Sequence, residues 1–583
     1  MLQVNRDLNG SSASKTWLRA LEMTARIDAD PLRTLPVVIA ELGARFGPAP
    51  ALLSEHETFT HAHLAARANA YAKWALAQGI GRGDVVGLLM PNCAEYLAVW
   101  LGITHVGGVV ALLNTNLTGR SLAHCVAVAG AKHLIVAPEF EDTIAAAGVQ
   151  SDSMRWTHDD AFSREIDGFM GGPPPRPPKG FATLSDRALL IYTSGTTGLP
   201  KAACVSHHRL MMWSHWFAGL MGARQSDRLY NCLPMYHSVG GVVASCAVLL
   251  AGGSVVLRKR FSASGFWTDV AKSDCTIFQY IGELCRYLLK ADVPHMPHRL
   301  RLACGNGLSG DIWTAFQQRF AIPQILEFYA SSEGNFSLFN VEGRPGSIGR
   351  IPSVLGHRLA PAIVKFDAQT GTPKRGADGH CITVARGEIG EAIGRIAGGA
   401  ARFEGYTDAE ATKNKILRDV FEADDAWMRT GDLMRQDGQG FYYFVDRVGD
   451  TFRWKGENVA TTEVAAAFTD YPGVQAATVY GVGVPGADGR AGMAALVTGA
   501  AFDLAGLREH LRTRLPDYAC PLFVRLVGSL AITETFKQKK HTLADEGFDP
   551  ARTSDALYCD LGAGYVPLTA AIYSEIRSGR TRF

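Results

Sequence analysis

The sequence lacks an excess of charge of either sign. Its 58 Lys and Arg residues nearly balance its 56 Asp and Glu residues, so the formal net charge is only +2. A protein that holds nucleic acid through its overall electrostatic field carries a strong positive excess, so we predict no nucleic-acid partner. Any charged ligand must then be bound by a local arrangement of side chains.

Paired cysteines are also missing. The 11 cysteines are scattered, and no two of them stand in a C-x-x-C spacing. This pattern is typical of free thiols in a reducing compartment rather than of a disulfide framework or a zinc site. The histidines between His56 and His63 do not have the H-E-x-x-H spacing of a zinc protease, so we predict no zinc.

Long uninterrupted apolar runs are scarce. Two candidates, Leu97–Leu113 and Val239–Leu257, each contain a Gly-Gly pair and are short for a membrane span of about 20 residues. We predict that each is a buried helix followed by a strand. The first residues show no apolar core of a secretory signal, so we predict a cytoplasmic protein. Trp17–Ile27 is predicted as a surface amphipathic helix, with peripheral contact at the inner face of a membrane as the alternative.

The sequence does contain a regular alternation of short apolar strands and longer helical segments. From about Val38 to Leu338, runs such as Val85–Leu89 and Leu189–Thr193 alternate with helical stretches such as Asp311–Phe320. Continuous apolar strands alternating with helices are typical of parallel sheets covered on both faces. We therefore predict an α/β fold with a large N-terminal α/β part of several subdomains, followed by antiparallel pieces and a smaller α+β part at the C-terminus.

The most informative segment follows an apolar strand. It combines four hydroxyl side chains, two glycines and a lysine, in the order Thr193, Ser194, Gly195, Thr196, Thr197, Gly198, Leu199, Pro200 and Lys201. Glycines allow the backbone to turn tightly and approach a ligand, while hydroxyls, backbone N–H groups and a lysine can donate to phosphate oxygens. Because the spacing differs from a Walker A loop, the segment predicts a polyphosphate-binding loop of another kind.

This run, TSGTTGLPK, resembles the phosphate-loop signature of the acyl-adenylate-forming superfamily, which includes acyl-CoA synthetases, peptide-synthetase adenylation domains and luciferases. The resemblance implies an ATP-dependent acid–thiol ligase that works through an acyl-AMP intermediate, with ATP, magnesium and coenzyme A as its cofactors. It also implies an N-terminal extension at 1–35, an AMP-binding domain at 36–448 and a mobile C-terminal domain at 449–583.

A second segment, EFYASSEGN, also resembles a superfamily motif. The resemblance implies that Tyr329 stacks on adenine and that Ser332 contacts the α-phosphate. It further implies that Glu333, together with Thr193, holds the magnesium ion. This role is chemically reasonable because a carboxylate is a hard oxygen ligand that suits magnesium.

Three further segments are similar to superfamily motifs around the nucleotide. The glycine turn formed by Gly305, Asn306 and Gly307 is implied to lie beside adenine. Asp432 in MRTGDL is implied to accept hydrogen bonds from the ribose hydroxyls, and Arg447 in DRVGD to make a second ribose contact.

The C-terminal part contains the residues implied to act in turn during the two half-reactions. The hinge falls at Gly449, and glycine is the residue best able to absorb a large backbone rotation. Lys537 in TETFK is implied to be the catalytic lysine of adenylation, although Lys539 and Lys540 follow closely. A solvated basic edge is the alternative interpretation of all three lysines. Gly456 is implied to line the tunnel for the pantetheine arm of coenzyme A.

The segment FRWKGENVATTEV at Phe452–Val464 resembles one branch in particular, the fatty-acid-transport proteins and very-long-chain acyl-CoA synthetases, and FQYIGELCRYLL at Phe278–Leu289 fits the same branch. The resemblance covers the chain from about Pro36 to Phe583 and implies a long-chain or very-long-chain fatty acid as substrate. The departures from the superfamily pattern remove no required functional group and lie at Ser309, Ala330, Ser332 and Glu534.

Several alternatives stay open. The acid could be a bile acid or sterol-side-chain acid, and the branch name also suggests fatty-acid uptake without catalysis. Loading of a carrier protein is disfavoured because no carrier domain follows. The oligomeric state is undecided, with a homodimer as one option.

His237, Trp213 and Trp216 are candidates for the acyl entrance or for core packing. GVGVPG at Gly481–Gly486 matches a dinucleotide fingerprint, but turn residues follow it, so we predict no such cofactor.

Overall fold

The computed structural model describes most of the 583 residues, namely 12–55, 57–149, 154–193, 199–291, 296–359, 361–367, 370–397, 402–455, 457–485, 487, 489–531 and 540–581. The chain divides into two compact units. The first comprises residues 1–360 and 395–416, and the second comprises residues 361–394 and 417–583.

The first unit contains fourteen of the helices described here. They are α1 Ala13–Thr24, α2 Leu35–Phe46, α3 His61–Ala77, α4 Ala94–His105, α5 Gly119–Ala129, α6 Glu141–Ala146, α7 Asp160–Asp167, α8 His207–Met221, α9 Ser245–Leu249, α10 Phe266–Lys272, α11 Gly282–Lys290, α12 Gly310–Phe320, α13 Ser353–Leu359 and α14 Ala409–Lys413. Short 3₁₀ turns lie at Ile27–Ala29 and Pro138–Phe140, and a π-helix lies at Val239–Ala244.

The strands of the first unit form two sheets. They are β1 Pro50–Leu53, β2 Thr58–Thr60, β3 Val85–Leu89, β4 Val109–Leu112, β5 His133–Val136, β6 Met154–Thr157, β7 Arg187–Thr193, β8 Lys201–Ser206, β9 Arg228–Asn231, β10 Ser254–Leu257, β11 Ile277–Ile281, β12 Leu302–Asn306, β13 Gln324–Tyr329 and β14 Leu338–Asn340. The sheet orders are β14-β13-β12-β11-β9-β10-β1-β2 and β6-β5-β3-β4-β7-β8.

Both sheets are parallel in their interiors, as the apolar rhythm of the sequence predicts. Strand β4, for example, is buried along its whole length between the parallel strands β3 and β7. Only the edge strands β2, β14 and β8 run antiparallel to their neighbours. Strands buried on both faces need helices on both sides, which is why the intervening segments are helical.

The two apolar stretches are helix-plus-strand segments, as predicted. The first contains most of α4 followed by β4, and the second contains the π-helix and α9 followed by β10. Within the part of the chain that the structure describes, no helix is both long enough and apolar enough to cross a membrane.

Helix α1 includes most of the predicted amphipathic segment and packs on α8. Trp17 and Ala20 are buried, and the Trp17 ring meets the rings of Trp216 and Phe339 at 5.9 Å between centroids in each case. A Cβ on Gly219 would lie 2.6 Å from the Cα of Ala20, so glycine permits this close helix approach. The apolar face of α1 is therefore a packing face, and Trp216 belongs to this aromatic cluster.

The second unit has fourteen described strands, mostly antiparallel, and four described helices. The strands are β15 Ala362–Val364, β16 Phe366–Asp367, β17 Thr372–Pro373, β18 Ile389–Arg395, β19 Ile416–Arg418, β20 Ala426–Gln436, β21 Tyr442–Arg447, β22 Phe452–Trp454, β23 Glu457–Val459, β24 Val474–Gly483, β25 Arg490–Thr498, β26 Phe523–Leu526, β27 Ala556–Asp560 and β28 Tyr565–Pro567. The helices are α15 Thr461–Thr469, α16 Leu504–Arg512, α17 His541–Glu546 and α18 Ala570–Arg577.

Two five-stranded sheets organise this unit. One contains β15, β18, β19, β20 and β21, and the other has the order β24-β25-β26-β27-β28. Strand β24 is paired with the antiparallel strand β25, and no described residue between them is helical. The GVGVPG segment therefore lies in a strand-to-strand connection rather than in the strand-to-helix turn of a dinucleotide site.

Candidate active site

An antiparallel pair of strands positions both ends of the predicted phosphate loop. Strand β7 ends at Thr193 and β8 begins at Lys201, and these two residues are direct Cα partners in the ladder. The two ends of the predicted loop therefore lie side by side. Its central residues lie outside the described part of the chain and are Ser194, Gly195, Thr196, Thr197 and Gly198.

A short segment around Tyr406 runs beside β8. The amide of Cys204 donates to the carbonyl of Gly405 at 2.9 Å, and the amide of Thr407 donates to the carbonyl of Ala202 at 3.0 Å. These bonds fix Tyr406 next to the phosphate-loop strand. The Lys201 ammonium lies 5.8 Å from the centre of the Tyr406 ring, within range of a cation–π contact.

The Tyr406 side chain joins the two halves of the predicted catalytic centre. Glu333 and Thr193 both lie close enough to its hydroxyl to act on its pKa. Burial, followed by the nearby Glu333 carboxylate, raises the pKa of Tyr406, so the hydroxyl stays protonated. Thr193 ends a strand of the six-stranded sheet, and Glu333 follows the last parallel strand of the eight-stranded sheet. Tyr406 therefore links the carboxyl ends of both sheets.

Glu333 is a nearly buried carboxylate beside a cation. Only 9% of the residue is exposed, and its Oε1 atom lies 3.8 Å from the ammonium of Lys415. Among the described residues, no three His, Cys, Asp or Glu side chains converge as a metal cage. Magnesium typically takes one or two protein carboxylates and completes its shell with water and substrate phosphates. The oxygen atoms of Glu333 and Thr193, joined through Tyr406, fit that requirement.

A buried arginine holds the backbone next to Glu333. Arg209, at the start of α8, donates to the carbonyl of Ser332 at 2.9 Å and to that of Arg402 at 3.1 Å. Burial lowers the pKa of this guanidinium, and the neighbouring Glu404 carboxylate acts in the opposite direction. Arg209 therefore fixes the orientation of the segment that carries Ser332. The hydroxyl oxygen of Ser332 in turn lies 3.2 Å from that of Ser238.

The predicted glycine turn comprises the last two residues of β12 and Gly307, and it packs tightly against the segment FQYIGE. Gly307 has a φ of +80°, which strongly favours glycine. A Cβ on Gly282 would lie 1.8 Å from the Gly307 carbonyl oxygen, so this contact also excludes a side chain. The segments GNGL and FQYIGE, noted separately in the sequence, are thus two sides of one close backbone contact.

The turn is further held by a buried carboxyl group. Glu327 accepts hydrogen bonds from the hydroxyl of Tyr280 and, at 3.0 Å, from the amide of Leu308. Burial raises the pKa of Glu327 to about 8, with both hydrogen bonds acting in the opposite direction. Its proton is therefore largely retained at neutral pH.

Tyr329 ends strand β13, the neighbour of β12. Its ring lies 5.8 Å from that of Phe336, at an angle of 30°. Gly305 on β12 is paired with Glu327 on β13, so the glycine turn and Tyr329 leave the same edge of the sheet. Ligands of open α/β sheets bind outside the carboxyl ends of the strands, and both predicted adenine contacts lie there.

The two predicted ribose contacts are neighbours within the second unit. Asp432 on β20 and Arg447 on β21 are direct cross-strand partners, with Nε of Arg447 3.7 Å from Oδ1 of Asp432. The Arg447 side chain is 45% exposed and the Asp432 side chain 13%. Two segments separated in the sequence thus present one acceptor and one cation side by side.

The predicted hinge follows this pair. The amides of Asp450 and Thr451 both donate to the carbonyl of Arg447, which makes a tight turn around Gly449. A Cβ on Gly449 would meet no described atom within 4 Å, so packing does not require glycine there. The predicted catalytic Lys537 and the tunnel residue Gly456 lie outside the described residues.

The contacts of Lys540 contradict the alternative interpretation that this lysine belongs to a solvated basic edge. Its ammonium donates to the hydroxyl of Thr461 at 2.8 Å and to Asp450 at 3.3 Å, and its side chain is only 19% exposed. A solvated charge is therefore the wrong description of this lysine. The error arose because both partners lie about eighty to ninety positions earlier in the chain.

Three residues at the centre were absent from the sequence prediction: Tyr406, Lys415 and Arg209. Tyr406 and Lys415 lie in the irregular region after Gly394, where no periodicity or motif marks them. Arg209 lies in the first turn of α8, three residues after Ser206, whose hydroxyl caps the helix by accepting from the Arg209 amide at 3.2 Å. That cap was visible in the sequence, but the contact with Ser332 was not.

Comparison with known proteins identifies the family. The family described as AMP-binding enzyme matches residues 40–382, and the AMP-binding enzyme C-terminal domain matches residues 463–537. The chain is 39% identical over 572 residues to long-chain fatty acid transport protein 2 of Rattus norvegicus, covering 94% of this chain and 91% of that protein. It is also 39% identical to a medium/long-chain-fatty-acid–CoA ligase of Mycobacterium tuberculosis, covering 94% and 92%.

Solved structures agree with this result. The crystal structure of ATP-bound MatB from Rhodopseudomonas palustris superposes with a TM-score of 0.73 at 25% identity, covering 87% of this chain and 98% of that chain. The fold and the clustered residues thus define an adenylate-forming α/β enzyme. The chain belongs to the AMP-binding enzyme family, and the family predicted from its phosphate-loop signature is confirmed.

Proposed function

We propose that the chain converts a long-chain fatty acid, ATP and coenzyme A into acyl-CoA, AMP and pyrophosphate through an acyl-AMP intermediate. The observation that carries this proposal is the cluster of Thr193, Tyr406 and Glu333, with the ammonium groups of Lys201 and Lys415 beside it. Cations and protonated hydroxyls gathered at the carboxyl ends of parallel strands suit a polyphosphate ligand.

In the first half-reaction, a carboxylate oxygen of the acid attacks the α-phosphorus of ATP and pyrophosphate leaves. Negative charge builds on the phosphate oxygens as the bond to the leaving group breaks. Fixed positive charges and donors stabilise that charge without a covalent enzyme intermediate. Lys201 and the hydroxyls of the phosphate loop take this role, and Arg209 acts indirectly by holding the Ser332 carbonyl.

Magnesium would be held by Glu333 and Thr193. Bound there, the ion would supply positive charge that offsets the negative charge of the polyphosphate. The Tyr406 hydroxyl lies beside both of these residues and would help to orient them. Lys415, at 3.8 Å from Glu333, balances the carboxylate charge and is a second cation near the phosphates.

In the second half-reaction, the thiolate of coenzyme A attacks the acyl carbonyl carbon and AMP leaves. We propose that residues 449–583 act as a mobile domain that turns about Gly449 between the two steps. Lys537 then serves adenylation, and the backbone near Gly456 serves the thiol. Rotations of this kind commonly gate such reactions.

A coenzyme A consumption assay over acids of graded length, plus one steroid acid, tests the proposal. We expect pyrophosphate and acyl-CoA to form in equal amounts, with the highest kcat/KM for long-chain acids. A Glu333→Gln variant should lose both products. If only the steroid acid forms an acyl-CoA, the substrate belongs to the sterol-side-chain acids. If no acid gives a product, the proposed ligase activity is refuted.

Fatty-acid uptake is a second candidate, because several curated relatives are named long-chain fatty acid transport proteins. Cells that express the chain should take up a labelled fatty acid faster than control cells. If Glu333→Gln abolishes this gain, uptake follows from trapping the acid as its thioester. A gain that survives Glu333→Gln would support uptake independent of catalysis.

We further propose that the protein works in the cytoplasm with peripheral contact at the inner face of a membrane. Helix α1 exposes Leu18 and Met23, while Trp17 packs inward. Vesicle flotation of the wild type and of a Leu18→Ser, Met23→Ser variant tests this contact. Equal flotation of the two proteins would place any contact elsewhere, and sedimentation of the free protein would decide between monomer and homodimer.

A further inference from the structure

The side chain of Gln279 is buried without any hydrogen bond. The residue is 0% exposed, and within the described structure neither its Nε2 nor its Oε1 atom has a partner. Nearly all buried polar groups of folded proteins are paired, because an unpaired carboxamide keeps the cost of leaving water without compensation. A group of this kind therefore points to a partner that binds from outside the chain.

Gln279 lies in the middle of β11, opposite Cys304 on β12. Side chains alternate between the faces of a strand, so Gln279 shares its face with Ile277 and not with Phe278 or Tyr280. Ile277 and Cys304 belong to the large apolar core of the first unit. The carboxamide thus lies in a largely apolar layer.

The π-helix covers the same strip of the sheet. Asn231, the last residue of β9, donates from its side chain to the carbonyl of Gly240 at 2.9 Å. Its neighbour Tyr230 is paired with Phe278, so Asn231 lies beside Gln279 in the next strand. A Cβ on Gly241 would lie 2.0 Å from the Met235 carbonyl oxygen, which shows how closely this backbone packs. π-Helices are rare and are frequent at functional sites.

The same π-helix begins at the candidate active site. Ser238 immediately precedes it, and its hydroxyl oxygen lies 3.2 Å from that of Ser332. A substrate whose carboxylate reacts beside Ser332 is therefore next to the π-helix and to the strands that this helix covers. Gln279 lies on one of these strands, β11.

A second unpaired atom lies between these two points. Oδ1 of Asn306 is buried without a partner among the described residues. Asn306 is paired with Ile281, two positions beyond Gln279 on the same face and nearer the carboxyl ends of the strands. The unpaired carboxamide of Gln279 and the unpaired oxygen of Asn306 thus follow one another along one face of the sheet.

We propose that Gln279 binds a hydroxyl group carried by the acyl part of the substrate, so that the enzyme favours hydroxylated long-chain or steroid acids over their unsubstituted counterparts. This inference rests on the proposed ligase function. A carboxamide offers one donor and one acceptor side by side, and a hydroxyl group complements both. A plain alkyl chain leaves the donor and the acceptor of the Gln279 carboxamide unpaired on binding. Sites that are built to bind a hydroxyl group discriminate strongly against analogues without it.

The test compares kcat/KM for hexadecanoic acid with a series of monohydroxyhexadecanoic acids in which the hydroxyl moves along the chain. A second pair compares a steroid acid with and without its ring hydroxyl. For the wild type we expect at least one hydroxylated acid to be favoured by about tenfold or more over its unsubstituted partner. Gln279→Leu should remove or reverse this preference. The control Gln324→Leu, at the amino end of β13, should leave it unchanged.

Two results would overturn the inference: a wild-type enzyme that prefers no hydroxylated acid, or an unchanged preference in Gln279→Leu. The wild-type series alone decides the first result, even if Gln279→Leu fails to fold. Gln279→Met, which preserves the side-chain length, provides the second variant in that case. These outcomes differ from a failure of the ligase proposal, in which no acid, hydroxylated or unsubstituted, would form a thioester.

Discussion

The Oε1 atom of Glu333 lies 3.8 Å from the ammonium of Lys415, a residue that no sequence motif marks. The same carboxylate lies beside the hydroxyl of Tyr406, which is also close to Thr193. A predicted metal ligand is therefore held by two unpredicted side chains. The first two predictions concern this arrangement.

Glu333→Gln should lower the rate of acyl-AMP formation about a hundredfold or more at low magnesium, because a neutral amide holds the ion poorly. High magnesium should restore part of the rate. Pyrophosphate release over a magnesium titration measures both effects. Near-normal turnover at low magnesium would exclude the metal role.

Tyr406→Phe should reduce kcat/KM about 10- to 100-fold, since the lost hydroxyl orients two ligands of the site. The apparent affinity for magnesium should fall as well. Tyr192→Phe is a matched control, because its hydroxyl donates at 2.6 Å to the carbonyl of Cys125 in the core. That control should lower thermal stability but not the magnesium affinity. A Tyr406→Phe enzyme with normal magnesium dependence would show that the hydroxyl is not part of the site.

Asp432→Ala should raise the Michaelis constant for ATP much more than it lowers kcat. Ribose contacts are made in both the ground state and the transition state, so their loss is a loss of uniform binding. The ion pair with Arg447 is partly exposed, so the free energy of unfolding should change by only about 0–1 kcal/mol. A changed dependence on the acid instead of ATP would refute the ribose role.

The buried carboxyl group of Glu327 predicts a pH dependence of stability. Burial raises its pKa to about 8 in the folded protein, against an ordinary value of 4.5. The folded state therefore binds more protons than the unfolded state between these pH values. The stabilising contribution of the protonated Glu327 side chain to the free energy of unfolding is fully present below about pH 4.5, and it is lost as the pH rises through about 8.

Glu327→Gln should consequently show a smaller loss of thermal stability than the wild type as the pH is raised across this window. Melting curves at closely spaced pH values measure the difference. Glu342→Gln, which removes an ion pair with Arg350, is a control outside the turn. Parallel curves for Glu327→Gln and the wild type would argue against a raised pKa.

Lys537→Ala should lower acyl-AMP formation by about 10²–10³-fold, yet leave the conversion of supplied acyl-AMP and coenzyme A to the thioester nearly intact. Lys540→Ala should behave differently, because Lys540 pairs with Asp450 and Thr461. We expect it to lower the stability of the second unit and to affect both half-reactions alike. Selective loss of adenylation in Lys540→Ala would show that Lys540, and not Lys537, is the catalytic lysine.

The sequence by itself determined the local features of this protein. Periodicity located β3, β7, α11 and α12, because apolar patterns reflect which residues must be buried. The motif spacings singled out Thr193, Lys201, Glu333 and the glycine turn, and each of them lies at or near the end of a strand. Their chemistry is encoded within a few consecutive residues, so one sequence was enough to recognise the family.

Only the tertiary structure decided which distant residues meet. Tyr406, Lys415 and Arg209 reach the site because strand pairing and helix packing bring segments far apart in the chain together. The pairing of Asp432 with Arg447 depends on the register of β20 and β21, which no local pattern specifies. The unpaired carboxamide of Gln279 emerged in the same way, because a missing hydrogen bond can be recognised only when every neighbour is in place.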